Sequence, residues 1–509
     1  VSSLTSYFAH DFNTQREQWE KTLLAELKLL EIGEKAHKQQ LDGSRWPTLS
    51  LKTDSQVQLP SGEWKKASCT YAVLNEARLE ADISEDLNAG VRNFFFHKGA
   101  LNPSKWNLLE AILKKHTAFD EVEVFLLDGK FQSDEIKVIS QIVSGKEFHD
   151  QGGHSIQELG LLASTLVGQL DSLAGDLYIG VYVDSQFFHN IAKIRAARLL
   201  ALKILTEANK SHKVKVVALT SYQGWTLYER YSNMLRNETA VASAYIGGAD
   251  HIQSAGYNTI LELETDNHHD QEHLERSRRM ARNTSHVLAL ESMLGVVEDA
   301  AFGSYHLESL TESMCENAWK IMQRLLNAED LSQEVKDIRD QRLKKIKTRK
   351  SILSGTNDFP DAKENLDLKL KAPAFFRVAR GFEELRLKIE SMPKKPDVYV
   401  ALFGDYGALN GRLNFVKNYF ELLGLQVLDP GHSELDFNKN LSNRSETIVV
   451  LCSLDDKYPD LLKASESIKA PHKFIAGKYS IPGFQNLFAG QDIFSVLETL
   501  VRNLSGGKS

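Results

Sequence analysis

The residues best suited to chemistry in this chain gather in a few short stretches. Gly404 and Tyr406-Gly407-Ala408-Leu409-Asn410-Gly411 follow an apolar run at Val398–Phe403. A buried strand, a glycine-rich loop and a helix start make the cradle in which α/β domains hold a nucleotide-like tail. The glycines alone are weak evidence, because they also mark ordinary strand–helix turns. No histidine or carboxylate lies between Tyr406 and Gly411 to ligate a metal or carry a proton. Asp266, His268, His269, Asp270, Glu272 and His273 form the densest set of metal-ligand types. His269 and His273, four apart, would share a helix face, yet a zinc site needs further ligands. A polar strand-to-helix loop with an acidic helix start is the simpler reading. His149, Asp150 and His154 flank Gly152-Gly153, where a solvated loop is favoured over a ligand clamp. Ser221 and Cys452 have no base nearby in sequence and no nucleophile elbow, and Cys452 reads as a small core residue.

These residues must be positioned by several kinds of element. Residues 1–50 read as an arm with one amphipathic helix, in which Thr14 and Glu17 are spaced as a capping box and Trp19, Leu23, Leu27 and Leu30 share a face. Over 51–325, strand candidates Asn93–His97, Glu121–Leu126, Tyr178–Val183, Val214–Leu219 and Thr259–Leu263 alternate with helices such as Phe188–Glu207 and His273–Ala289. Such β-then-α units favour a parallel sheet, either doubly wound or a (β/α)8 barrel, and the length fits a TIM-type barrel better. Residues 326–396 read as a charged helical linker. Its basic run Arg342–Lys350 suggests a solvated helical face over a phosphate site, and Met392-Pro393-Lys394-Lys395-Pro396 reads as a hinge. Residues 397–509 read as a doubly wound, flavodoxin-like domain with strands Val398–Phe403, Gln426–Leu428, Thr447–Cys452, Lys473–Ala476 and, more weakly, Leu487–Ala489.

Composition narrows the classes. The 509 residues are too many for one ordinary core. A net charge of −7 without a basic, aromatic-interleaved stripe argues against nucleic acid and anionic membranes. Three scattered cysteines, Cys69, Cys315 and Cys452, form no disulfide framework, and the start of the chain shows no signal-peptide core. A cytoplasmic protein is expected.

Several segments resemble the methylmalonyl-CoA mutase family, and more closely its small, non-catalytic subunit. They are Arg279-Met280-Ala281-Arg282-Asn283-Thr284, then Glu291, Val297-Glu298-Asp299, Gly303-Ser304-Tyr305 and Ala318-Trp319. Phe187-Phe188 through Arg195 and Arg198 continue the pattern, as do Thr220-Ser221, Asn233–Arg236, Gly247–Asp250 and Gly355–Pro360. The resemblance implies a (β/α)8 barrel followed by a cobalamin-binding-like domain. It also implies a radical isomerisation of methylmalonyl-CoA and succinyl-CoA on adenosylcobalamin, with the corrin carrying the chemistry.

In cobalamin-binding members the loop reads Asp-x-His-x-x-Gly, the His ligating cobalt and the Asp orienting it. The matching positions here are Tyr406, Ala408 and Gly411, so only the glycine is kept. If Thr220-Ser221 match the end of the family's Thr-His-Ser-Gln-Thr-Ser strand, the substrate-polarising His falls on Val217, which cannot donate to a carbonyl. The substrate-closing Arg-Gln-Tyr segment has no convincing counterpart near Trp64–Tyr71. Arg195 and Arg198 are expected in internal salt bridges rather than on CoA. The resemblance therefore implies no catalytic, metal or cofactor residues in this chain, with adenosylcobalamin held by a large catalytic subunit in a heterodimer. Two alternatives stay open: an independent cobalamin-dependent acyl-CoA mutase lacking a histidine lower ligand, and a regulatory or chaperone-like binding protein of the mutase.

Overall fold

The computed structural model describes residues 67–505 apart from 98, 117–120, 128–132, 134–135, 267–270, 298, 429–447 and 467, together with residues 21, 38–39 and 45–46. The expected amphipathic helix at Trp19–Leu30, the segment from Trp64 to Lys66, and His268, His269 and Asp270 lie outside the described residues. Early in the chain, β1 (Lys38–Gln39) pairs antiparallel with β2 (Arg45–Trp46).

The next eight strands are all parallel and form two four-stranded sheets. The first runs β3 (Ala67–Tyr71), β4 (Val91–Phe96), β5 (Glu123–Leu126), β6 (Lys137–Ile139) in that order. The second runs β7 (Val143–Ser144), β8 (Leu177–Val183), β9 (Val214–Thr220), β10 (His251–Ile252). β8 and β9 are rich in Val, Ile and Tyr and are buried on both faces, as parallel strands require. The expected single barrel is therefore seen as two open sheets, with no backbone ladder from β6 to β7 or from β10 to β3. Side chains bridge the second gap: Thr70 Oγ1 donates to the Ser254 carbonyl at 3.0 Å, and Ser68 Oγ accepts from Ser254 N at 3.2 Å.

Each sheet packs outward on helices and inward on the other sheet. Outside the first lie α1 (Leu79–Asn88) and α2 (Pro103–Lys114), whose Asn102 cap and Pro103 fix its start. Around the second lie α4 (Ser155–Gln169), α5 (Phe187–Glu207), α6 (Ser232–Ile246) and α9 (Tyr305–Leu326), with the short α3 (Lys146–Asp150) leading into α4. Gly160 allows α4 to meet α9, since a Cβ there would lie 2.3 Å from Ile321 Cγ2. Phe95, Phe125, Tyr178, Val217 and Leu219 fill the space between the inner faces.

One expected strand is corrected. Thr259–Leu263 lies in a helix, α7 (Thr259–Glu264), while the strand before it is only His251–Ile252. Gly256 turns the chain with Thr259 N bonded to its carbonyl, and the Glu264 side chain is spent on arginines of the linker. α8 (Gln271–His286) follows, and ends in a π-helical turn at Val287–Glu291.

The linker contains α10 (Ser332–Lys347) and α11 (Arg380–Glu390). It leads to β11 (Val398–Phe403), α12 (Tyr406–Glu421), β12 (Val427–Leu428), β13 (Ile448–Ser453), α13 (Leu462–Glu466), β14 (His472–Ala476), β15 (Gln485–Leu487) and α14 (Ile493–Leu504). These five parallel strands have the order β12-β11-β13-β14-β15. Residues alternate between a core shared with α11, α12 and α14 and one shared with Tyr458, Leu461 and Ile468, so helices cover both faces. This is the doubly wound, flavodoxin-like order, whose switch point lies between β11 and β13.

Candidate functional site

The mouth of the eight-strand unit, at the carboxyl ends of β4, β8 and β9, holds a cavity of about 330 Å³ lined by His97, Tyr222, Gln253, Lys146, Leu219 and Phe375, among others. His97 Nε2 lies 3.1 Å from the Tyr222 hydroxyl, and the Gln253 amide reaches both, at 3.5 Å and 3.4 Å. Gln253 is oriented by its Oε1, which accepts from Thr220 N at 2.9 Å. Burial, reinforced by Lys146, pushes the His97 imidazole down to about 4, so it is neutral at physiological pH. Burial raises the Tyr222 phenol, with Glu262 adding to the effect. Burial also lifts the Glu262 carboxyl to about 7. The cavity thus offers His97, Tyr222 and Gln253 beside the Lys146–Asp150 ion pair, on a half-apolar wall.

A linker segment straps this mouth. Lys371 N donates to Glu264 O, Phe376 N to Asp150 O and Val378 N to Gln223 O, at 2.8, 2.7 and 2.9 Å. Phe375 packs on Tyr222 with ring centroids 5.8 Å apart. Arg377, fully buried, bonds Glu264 at 2.6 and 2.7 Å, Glu383 at 3.0 Å and the Trp225 carbonyl at 3.0 Å.

Beside the cavity is a smaller polar pocket of about 90 Å³, which shares His149 and Tyr182 with it. Ser221 Oγ lies 3.3 Å from His149 Nε2, and Glu158 lies 3.5 Å from His149 Nδ1. Three residues that sequence separates are therefore neighbours in space. Each of them is also tied into a wider polar network. Glu158 is already held by Lys193 at 2.6 Å and by Tyr182 N at 2.8 Å, and Gln223 Nε2 also approaches His149 Nδ1, at 3.4 Å. Burial works to raise the Glu158 carboxyl, but Lys193 and His149 overcome it and hold it below its usual range. His149 is further fixed by stacking on Tyr182 at 3.9 Å. His154 is a cap: its ring accepts from Ile156 N and Gln157 N at the start of α4. Arg342 leaves the expected solvated face of α10 and reaches Gln223 and the Gly152 carbonyl.

Other residues singled out by sequence fall as follows. Val217 is fully buried between the inner sheet faces with Phe95, Phe125 and Leu219. Arg195 bonds Asp299 and Glu308 at 2.9 and 3.0 Å, and Arg198 bonds Asp250 at 2.6 Å, so both are internal as expected. Cys452 is a core residue of β13. Glu272 and His273 open α8, with His273 Nε2 3.3 Å from the Tyr231 hydroxyl. Among the described residues no group of three His, Cys, Asp or Glu could hold a metal ion.

The loop at Gly404–Gly411 is corrected: the helix begins at Tyr406, capped by Asp405, whose carboxylate accepts from Ala408 N at 2.9 Å. Only Gly404, at φ +121°, needs glycine for its backbone, and Gly411 lies on an open helix face. One position after Gly411, the Arg412 guanidinium lies in the crevice at the carboxyl ends of β13 and β14, one strand along from the β11–β13 switch point. Its Nη1 donates to Ser453 O at 2.6 Å, Asp455 Oδ1 at 2.7 Å and Ala476 O at 3.0 Å, joining the ends of β13 and β14. The Tyr458 hydroxyl adds a bond to Ala476 O at 2.6 Å and accepts from Ser453 N at 3.0 Å.

Fold and site together define an α/β protein of two parallel-sheet units, strapped by a linker that covers a retained mouth cavity. A sequence model of the family "Methylmalonyl-CoA mutase" matches residues 130–379, and that part of the chain belongs to this family. Among curated proteins, the chain is 29% identical over 364 residues to the methylmalonyl-CoA mutase small subunit of Porphyromonas gingivalis, covering 64% of this chain and 57% of that protein. It is 29% identical over 400 residues to the small subunit of Streptomyces virginiae, covering 70% of this chain and 62% of that one. A shorter match, 30% over 199 residues, covers 36% of this chain and 26% of the methylmalonyl-CoA mutase of Rhizobium meliloti. The chain thus spans about three-fifths of the small subunits it matches. Among the described residues no helix is long and apolar enough to cross a membrane.

Proposed function

We propose that this chain is the non-catalytic small subunit of a heterodimeric, adenosylcobalamin-dependent methylmalonyl-CoA mutase, stabilising a large chain that holds the corrin and acyl-CoA. We also infer that the eight parallel strands are the wall of a mutase-type (β/α)8 barrel. Their sequential order, the shared inner core and the Thr70–Ser254 bridge support that inference.

The observation that carries the functional reading is Arg412. Its guanidinium lies at the carboxyl edge of the sheet, the edge at which doubly wound domains take ligands, and is bonded to the Ser453 and Ala476 carbonyls at the ends of β13 and β14. Ala408, at the position of a cobalt-ligating histidine, carries only a methyl group, and Tyr406 carries no carboxylate to orient one. These residues do not fit cobalamin. Val217 supports the same reading: an isopropyl group in an apolar cluster cannot polarise a thioester carbonyl.

A second reading draws on the mouth. A cavity of about 330 Å³ with His97, Tyr222 and Gln253 favours an independent acyl-CoA mutase more than a filled barrel would. Titrating the isolated chain with adenosylcobalamin and assaying acyl-CoA isomerisation separates the two. The small-subunit reading expects no corrin spectral change and no turnover. Stoichiometric uptake with turnover overturns it.

A further inference from the structure

The segment from the π-helical turn at Val287–Glu291 to Gly303 presents an apolar exterior. Leu290 and Met293 are 64% and 62% exposed, Val297 62%, Val296 48% and Phe302 47%, and Phe188 at the start of α5 adds a sixth side chain at 52%. Phe188 joins this group through His306, on which its ring packs edge-on at 6.2 Å, and through Phe187, which packs with Ala301 and Leu307. A soluble surface rarely spends so many large apolar side chains in one loop.

The loop is held rigidly from beneath. The fully buried Arg195 bonds Asp299 Oδ2 at 2.9 Å, Glu308 Oε1 at 3.0 Å and Thr311 Oγ1 at 3.1 Å. The same carboxylates accept backbone N–H groups of the loop, Asp299 from Ala301 and Glu308 from Gly303. Leu294 N returns to Leu288 O, and Leu294 and Ala289 pack on the core of the second sheet. Met293 is kept at φ +52°, a left-handed conformation that a long side chain adopts only under constraint. Such a surface is ordered before anything meets it, which lowers the entropy cost of binding.

We propose that residues 287–297 and 299–303 with Phe188 form the docking surface for the large mutase chain; the proposal rests on the small-subunit reading above. Charge and size select this occupant. Between Val287 and Gly303 the ionisable residues are Glu291, Glu298 and Asp299, with no Lys or Arg, so an anionic bilayer or nucleic acid finds no attraction. The six side chains together expose on the order of 500 Å², the size of the largest apolar patch on a typical monomer, which is often functional. That approaches the roughly 800 Å² each partner gives to a stable protein–protein interface, and exceeds what a short peptide needs. The chains called small subunits, to which this one is similar, bear a name that implies a companion of this kind.

The test is co-expression of this tagged chain with the large mutase chain of the same organism. It compares wild type, Met293→Asp/Val297→Asp, Val297→Asp alone, and a control Leu462→Glu at an exposed apolar residue of the C-terminal unit. Asp is tolerated at positive φ, and both sites face solvent, so the melting curve is expected to be unchanged. Wild type and control should elute one-to-one with the large chain, while the double variant weakens the complex by about a hundredfold and the single one by about tenfold. Variants that pair as well as wild type overturn the surface but leave the small-subunit reading intact. A wild-type chain that never pairs overturns that reading itself. A wild-type homodimer split by the same variants assigns the face to a second copy, and variant-sensitive sedimentation with phosphatidylcholine/phosphatidylglycerol vesicles assigns it to lipid; either result overturns the proposal.

Discussion

The mouth of the eight-strand unit and the crevice of the C-terminal sheet both lie at the carboxyl ends of parallel strands, where α/β proteins take ligands. At the mouth, His97, Tyr222 and Gln253, together with the Lys146–Asp150 ion pair, surround a cavity of about 330 Å³. At the crevice, Arg412 satisfies the carbonyls itself, and the following Gly477 is so close that a Cβ would meet Arg412 Nη1 at 3.0 Å. The two differ in how they satisfy backbone carbonyls that a ligand would otherwise meet. One leaves space and covers it with a strap; the other spends a cation to fill it. The same strand-end topology thus carries two different surroundings in one chain, which is why fold and function must be argued separately.

The largest effect is expected where the two regions are tied together. Arg377→Ala leaves the buried Glu264 and Glu383 carboxylates short of their main partner and frees the strap from the mouth. It should cost about 3–5 kcal/mol, read as a lowered midpoint in urea unfolding. A loss under 1 kcal/mol would show that the strap is not a structural tie.

Next comes the pH dependence of the mouth. His97 is depressed to about 4 in the folded chain, against the ordinary 6.5, so the unfolded state binds its proton first. Its contribution is present above pH 6.5 and is lost as pH falls from about 6.5 to 4, by up to ~3 kcal/mol. Glu262, raised to about 7 by burial, acts with the opposite sign, losing stability as pH rises from about 4.5 to 7. The difference between wild type and His97→Gln isolates the histidine: the variant should be relatively more stable at pH 4.5 than at pH 7.5. Parallel stability–pH curves would contradict a neutral, buried His97.

The smallest effect is expected at the crevice. Arg412→Ala removes charge-assisted bonds to two carbonyls from a side chain 31% exposed, worth about 1–2 kcal/mol and a few degrees in melting temperature. It should not create corrin binding, because Ala408 still cannot ligate cobalt. Uptake of cobalamin by this variant alone would show that Arg412 was the only barrier.

Much of the framework was legible because its signals are local. Val398–Phe403 is bounded by the hinge prolines before it and by Gly404 after it, and the structure places the strand at those residues. Thr259–Leu263 misled because Ile260, Leu261 and Leu263 resemble a half-buried strand, whereas the turn at Gly256–Asn258 and the Arg377–Glu264 bonds decide for helix. The division of the eight strands into two open sheets was not legible, since pairing between distant strands leaves no local mark. His97, Tyr222 and Gln253 were missed for the same reason, the first two being 125 positions apart. Arg412 had one available signal: a cation placed directly after the last glycine of the loop, where a nucleotide phosphate or a carbonyl cluster could receive it.

The most direct test of the account is the mass and corrin absorbance of this chain co-expressed with the large mutase chain of the same organism. The account predicts a stable one-to-one complex carrying a single cobalamin. Two cobalamins per pair, or uptake by this chain alone, would contradict it.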